Sequence, residues 1–208
     1  SEFTQFRRPI IQSQIQLSEQ HRINFFAVHL KSRQPLFLDD QDKNNPHIYL
    51  QALARSLHLR SMEAIAIQQL AHEIKEKNPN VPTFIAGDLN DTAQSVTTQL
   101  ICGCYPPYKS DPMIQKVFWK RRFHCLSDEI TRKSNFPASY THIFDGHYEN
   151  LDHILASDHI HPKNPTATGK LLYLQYFTDH LIDHSQKGIY LPRKASDHGQ
   201  IVASIELF

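Results

Sequence analysis

Three short acidic motifs occur in a fixed order along the chain: Gly87-Asp88-Leu89-Asn90-Asp91, Leu151-Asp152-His153-Ile154 and Ser196-Asp197-His198. A fourth motif, Val28-His29-Leu30-Lys31-Ser32, precedes them on a strongly apolar run. Together they supply carboxylates, an amide and two imidazoles, each beside a segment that reads as a buried strand. Those groups suit a divalent metal and a phosphate ester. Phosphoester hydrolysis needs charge neutralised on the phosphoryl oxygens, a base for water, a stabilised leaving oxygen and donors for the non-bridging oxygens. Magnesium-like cations take oxygen ligands, one or two carboxylates plus water and substrate. Asp88, Asp152 and Asp197 are each placed to offer such oxygens. Asn90 alternates with Asp88, so the two share a face if strand geometry persists.

Each motif alone has a simpler explanation. Gly-Asp is a common strand-to-turn signal, and Asp88 could cap a following helix. Asp197-His198 alone reads as a surface turn, Asp152-His153 as a solvated strand edge, and His29 as a satisfied core histidine. The combination, in order and with each member joined to a buried strand, shifts the balance toward chemistry.

The elements that must position these groups follow from periodicity. Ile10–Leu17 alternates apolar and polar residues as a half-buried strand does, and Ile23–Leu30 is nearly continuous in apolar residues, as a central strand is. A helix is expected from about His47 to Lys77, with Met62, Ala66, Leu70 and Ile74 as its inner stripe, flanked by Ile67 and Ala71. Lys75 and Lys77 suit its negative end, and Asn78-Pro79-Asn80 stops it. Pro82–Ala86 is a short buried strand, and Thr92–Ile101 a second helix. Cys102–Ala138 reads as loop with short elements. Ser139–Phe144, Leu151–Ala156, Lys170–Tyr176 and Gln200–Phe208 read as strands, with Asp145-Gly146 marking a hairpin turn. This mixture predicts a single α+β domain of layered architecture over residues 1–208.

Composition narrows the class. The 208 residues carry a net charge of +1, with 40% hydrophobic and 21% charged residues, as in ordinary globular domains. Near-neutrality argues against a broad basic groove for nucleic acid. The local exception is Lys116–Arg122, where Lys116, Lys120, Arg121 and Arg122 surround Phe118 and Trp119. It reads as a solvated loop with its aromatics anchored in the core, the alternative being contacts to a nucleic-acid backbone and base. The three cysteines, Cys102, Cys104 and Cys125, give no disulfide framework and read as reduced thiols, hence a cytoplasmic or otherwise reducing setting. No apolar run approaches a membrane span. His159 with His161, and His180 with His184, have metal-like spacings but no third ligand, and are expected to be exposed polar residues.

As a set, the four motifs resemble the endonuclease/exonuclease/phosphatase superfamily, whose fold is deoxyribonuclease I-like. Arg8-Pro9, Arg60 and the helix up to Ile74 fit the same pattern, so the resemblance runs from about Arg8 to Phe208. It implies a four-layer α/β-sandwich and a magnesium- or manganese-dependent phosphoesterase. It also implies roles: His29 against the scissile phosphate and paired with a carboxylate, Asp88 orienting or deprotonating water, and Asn90 holding a phosphate oxygen. Asp197 would be a metal ligand, with Asp88 or Asn90 nearby. His198 would contact the phosphate, with Asp152 orienting it. The family's two earlier motifs, an Asn and a metal-binding Glu, have no counterpart here; Glu2 does not substitute. The chain is therefore expected to be the C-terminal portion of the domain, without its N-terminal strands. The resemblance implies a phosphate-ester substrate. A nuclease acting on nucleic acid leads, with a phosphomonoesterase or lipid-headgroup phosphatase as alternative and a catalytically silent binding domain as another. Specificity is expected in the loops Gln34–Pro46, Gly103–Phe136 and His159–Lys170.

Overall fold

The computed structural model describes residues 5–103, 105, 107, 109–131, 139–183, 185 and 196–208. Glu2, Cys104 and His184 lie outside the described residues.

Nine strands and four helices make a mixed α/β fold among the described residues. β1 (Ile11–Gln16) and β2 (Arg22–His29) form the expected hairpin, and β2 then pairs in parallel with β3 (Thr83–Asp88). The crossover between β2 and β3 is α1 (Pro46–Lys77). Asn45 caps α1 by accepting from the His47 and Ile48 amides, and Pro46 enters at the first turn, where its missing N–H costs nothing. β7 (Asp152–Ser157) pairs antiparallel with β3, and β4 (Phe123–Cys125) closes the other edge, giving the order β1-β2-β3-β7-β4.

The apolar faces of this sheet are covered differently. On one face Phe26, Val28, Ile85 and Leu155 pack against Ala64, Ile67 and Ala71 of α1 and Ile101 and Cys102 of α2 (Val96–Cys102). On the other, Phe84 and Ala156 meet Leu171 of β8 (Gly169–Phe177), with Ala203 and Ile205 of β9 (Gln200–Leu207) joining them. β8 and β9 form a separate antiparallel pair. Helices, five-stranded sheet and two-stranded sheet are thus three layers built by the described residues.

Several local expectations need correction. The inner stripe of α1 is displaced from the expected one: Ser56, Arg60, Glu63, Ala64, Ile67, Ala71 and Lys75 are buried, whereas Leu70 is 39% exposed. The reason is that polar residues on this face are satisfied at long range. Glu63 accepts from the amides of Arg7 (2.9 Å) and Lys31 (2.7 Å), and Lys75 is held by Asp158 and the Lys120 carbonyl. Apolar periodicity cannot register such a face. The segment after Cys102 is more ordered than expected, with α3 (Pro112–Arg121), β4 and α4 (Leu126–Thr131) in succession. The Lys116–Arg122 run is therefore helix rather than loop, and α3 buries none of its side chains, so its aromatics are not core anchors. α2 starts later than expected, at Val96, because Ser95 caps it through the Thr98 amide. β5 (His142–Phe144) and β6 (His147–Glu149) make a tight hairpin around Asp145 and Gly146, both at positive φ (50° and 71°), as a type I′ turn requires. His159 and His161 are buried, not exposed: His159 bridges Ser157 and the Pro79 carbonyl, and His161 lies 3.2 Å from Glu129.

Candidate active site

The sheet brings the motifs together because β2, β3 and β7 end side by side. In the parallel β2–β3 ladder His29 is opposite Asp88, and in the antiparallel β3–β7 ladder Asp88 is opposite Asp152. Gly87 makes this approach feasible. Its φ of 141° is unfavourable for other residues, and a Cβ there would lie 2.0 Å from the Val28 carbonyl oxygen. His198 arrives from the loop before β9. Thr141 ties that loop to β7: its carbonyl accepts from Gly199 (2.7 Å), and its hydroxyl accepts from the amides of Leu151 (3.0 Å) and Asp152 (3.2 Å).

The resulting cluster is compact. His29 Nε2 lies 3.1 Å from Asp88 Oδ2, and His198 Nε2 lies 3.9 Å from the same oxygen. His198 Nδ1 is 2.8 Å from Asp152 Oδ2. Asn90, left-handed at φ 53°, donates its amide to Asp88 Oδ1 (2.7 Å) and its side-chain nitrogen to Asp88 Oδ2 (3.1 Å) and the Leu30 carbonyl (3.0 Å). Asp88, Asp152 and His198 present ligand atoms within 4.8 Å of one another and could hold a metal ion. Asp197 is outside that group of three, but its charge acts on both His198 and His142.

The electrostatics separate the two imidazoles. The hydrogen bond to Asp152 raises the pKa of His198 above its ordinary value and outweighs burial, so His198 favours the imidazolium. Burial lowers His29, helped by the positive charge of Arg8 and against the pull of Asp88. Burial raises the Asp88 carboxyl, and the neighbouring Asp152 adds to it, while the Asn90 amide opposes the shift. The site thus holds one imidazole whose hold on a proton is strengthened, one whose hold is weakened, and a carboxylate made more basic than usual.

The sequence reading missed the groups that brace this cluster. Arg33 donates to both oxygens of Glu149 (2.8 Å each), to Asp91 Oδ1 (3.2 Å) and to the Asn90 carbonyl (3.0 Å). Arg60, buried on α1, reaches Asp91 Oδ2 (3.2 Å). His142 lies against His198 with ring centres 5.0 Å apart, and His180 Nε2 is 3.0 Å from the His198 carbonyl oxygen. Arg33 and Glu149 are 116 positions apart, and nothing in their local patterns links them. Asp91 sat in a quoted motif, and its tie to the already noted Arg60 was the available clue.

A comparison with curated proteins gave no match. Among solved structures, the chain is similar to the human Nocturnin catalytic domain with bound sulfate anion, at 14% identity over 96% of this chain and 53% of that one, with a TM-score of 0.49. It is also similar to a functionally unknown conserved protein from Enterococcus faecalis V583, at 14% identity over 96% and 56%, with a TM-score of 0.43. A third is beta toxin from Staphylococcus aureus, at 15% identity over 94% and 56%, with a TM-score of 0.42. The chain spans about half the length of these structures. The model of the Endonuclease/Exonuclease/phosphatase family matches residues 6–198, a span that begins before β1 and ends on His198 itself, and the chain belongs to that family.

Proposed function

We propose that this chain carries the catalytic end of a metal-dependent phosphoesterase, with phosphodiester cleavage in nucleic acid as the leading activity. The observation that carries the reading is the meeting of His29, Asp88, Asp152 and His198, from four separate segments, at one sheet end. Two carboxylates stand opposite each other across adjacent strands, and burial works against the charge of Asp88. A divalent cation offsets both, so the donor set fits one. Asp88 and Asp152 would hold magnesium or manganese, with Asn90 and Asp197 as the further oxygen donors expected from the sequence. Bound there, the ion supplies charge neutralisation at the phosphoryl oxygens.

The chain's own groups do the rest. His198, whose hold on a proton Asp152 strengthens, donates to a phosphoryl oxygen as charge develops on it. Asp88, with its raised affinity for a proton, orients water and accepts its proton. His29, 3.1 Å from Asp88, fixes that carboxylate and offers a second contact to the phosphate. Asn90 and its anchor on the Leu30 carbonyl keep Asp88 from rotating away.

The test is hydrolysis of single- and double-stranded oligonucleotides and of a phosphomonoester, with magnesium or manganese and with chelator. Metal-dependent cleavage of an oligonucleotide that is lost in His198→Ala supports the reading. Turnover of the phosphomonoester alone would redirect it to a phosphatase. No turnover of any substrate by the longest natural form of the protein would overturn it.

A further inference from the structure

The basic and aromatic run Lys116–Arg122 takes no part in the site above. α3 stands off the body, with Lys116, Lys120 and Arg121 facing solvent beside the exposed Val117. The end of α3 and the residue after it form a wall of a second cavity, of about 750 Å³, along the edge strand β4. That volume is in the range of small-ligand sites. Trp119, half-buried there, meets His161 edge-on with ring centres 4.8 Å apart, and lies 5.1 Å from His124. Arg122 is only 7% exposed, and its guanidinium sits 3.5 Å over the ring of Tyr105, which is itself largely exposed. Among the described residues the Arg122 Nε has no hydrogen-bond partner. Gln94, Gln99, Lys163 and the carboxylates Asp128 and Glu129 complete the polar lining, Asp128 accepting from Gln94 (3.1 Å) and Glu129 lying against His161.

An N–H of a buried, charged side chain left without an acceptor is unfavourable, and it marks where an acceptor from outside would be welcome. Flat aromatic faces, a buried cation and amide groups within one cavity match the three parts of a nucleotide: a base to stack, a phosphate to pair and ring-edge atoms to hydrogen-bond. We propose that this cavity binds a nucleotide unit, its base on Trp119 and Tyr105 and its phosphate on Arg122 and Lys163. The unit is either a free nucleotide or one member of a single strand that continues over Lys116, Lys120 and Arg121. The cavity borders the Ser157 end of β7, while Asp152 begins that strand about 16 Å away, so occupancy does not depend on the catalytic reading.

Trp119 is the sole tryptophan of the chain, so its emission reports on this cavity alone. Titrations with AMP, a short oligodeoxythymidine and inorganic phosphate distinguish the cases. AMP is expected to change the emission saturably, and phosphate alone far less. Arg122→Gln should weaken AMP about tenfold or more, and Tyr105→Ala, at an exposed ring, by several-fold, roughly the loss of one stacking contact. His198→Ala should leave the titration unchanged. Oligonucleotide binding tighter than AMP, with the excess lost in Lys116→Ala/Lys120→Ala, identifies the strand; equal binding identifies the free nucleotide. The proposal fails if neither AMP nor the oligonucleotide saturates the signal. It also fails if binding survives both Arg122→Gln and Tyr105→Ala.

Discussion

Asp88 and Asp91 are three residues apart, yet their carboxylates are surrounded in opposite ways. Asp91 is embedded among partners that favour its charge: the Thr97 hydroxyl at 2.6 Å, Arg60 at 3.2 Å and Arg33 at 3.2 Å. Burial alone would raise its pKa, but these groups together lower it. Asp88 has two imidazoles and another carboxylate for neighbours, and burial raises it. The first arrangement stabilises the fold. The second leaves a group poised to exchange a proton, and perturbed groups of this kind mark functional sites. One short segment therefore carries a carboxylate whose charge its partners favour and a carboxylate whose charge burial opposes.

Removing the structural member should have the largest effect. Asp91→Ala leaves the buried Arg60 without its carboxylate, and loss of one partner of a buried pair costs about 3–5 kcal/mol. Denaturant unfolding should show this as a lowered midpoint. Stability near that of the wild type would mean that the Asp91 network is ornamental, and the contrast would collapse.

His198→Ala should do the reverse. Turnover is expected to fall about 100- to 1000-fold, the typical loss of a donor aimed at developing charge. The unfolding midpoint should move little, since His198 is partly exposed and loses one hydrogen bond, to Asp152, and one ring contact, with His142. Asp152→Asn should cost less turnover than His198→Ala, because the imidazole remains while its orientation and charge are disturbed. Comparable losses would mean that Asp152 acts chiefly as a metal ligand rather than through the imidazole.

The smallest effect is the most discriminating, because the two carboxylates predict opposite pH slopes. Asp91 has a lowered pKa in the folded chain, so its stabilisation is present above the unfolded value of about 3.9 and fades as pH falls through the folded value. Asp88 has a raised pKa, so its relative contribution is present below about 3.9 and is lost as pH rises through the folded value. Without metal, Asp88→Asn gives up one acceptor of the Asn90 N–H groups but also a carboxylate whose charge burial opposes, so it should lose less stability at neutral pH than Asp91→Asn. Unfolding series across the acid range, in chelator, would sharpen the comparison; parallel slopes for the two variants would break it.

What the sequence made legible follows the same division. β2 and β3 were readable because each is an apolar run that stops at a polar motif, where His29 and Asp88 sit, and β7 because its apolar run starts at one, where Asp152 sits. Their convergence was inferred from order and shared position, and the ladders supply the contact. The inner face of α1 was misread because Arg60, Glu63 and Lys75 are buried by partners distant in the sequence. The short elements expected between Cys102 and Ala138 could not be placed as α3, β4 and α4 because none is long enough to display a clear period, and α3 fully buries none of its side chains. The Arg33–Glu149 pair was invisible for a simpler reason: pairing across the fold leaves no local pattern.

Thr141 offers a last consequence. One fully buried residue accepts the amides of Leu151 and Asp152 on its hydroxyl and that of Gly199 on its carbonyl. The strand that starts with Asp152 and the loop that presents His198 are thus pinned to the same small anchor. In hydrogen-exchange terms, those three amides should open together as one unit rather than with their sequence neighbours. The aspartate and the histidine it orients would then keep their spacing through the thermal motion of the surrounding loops, and reach the phosphate as a preassembled pair.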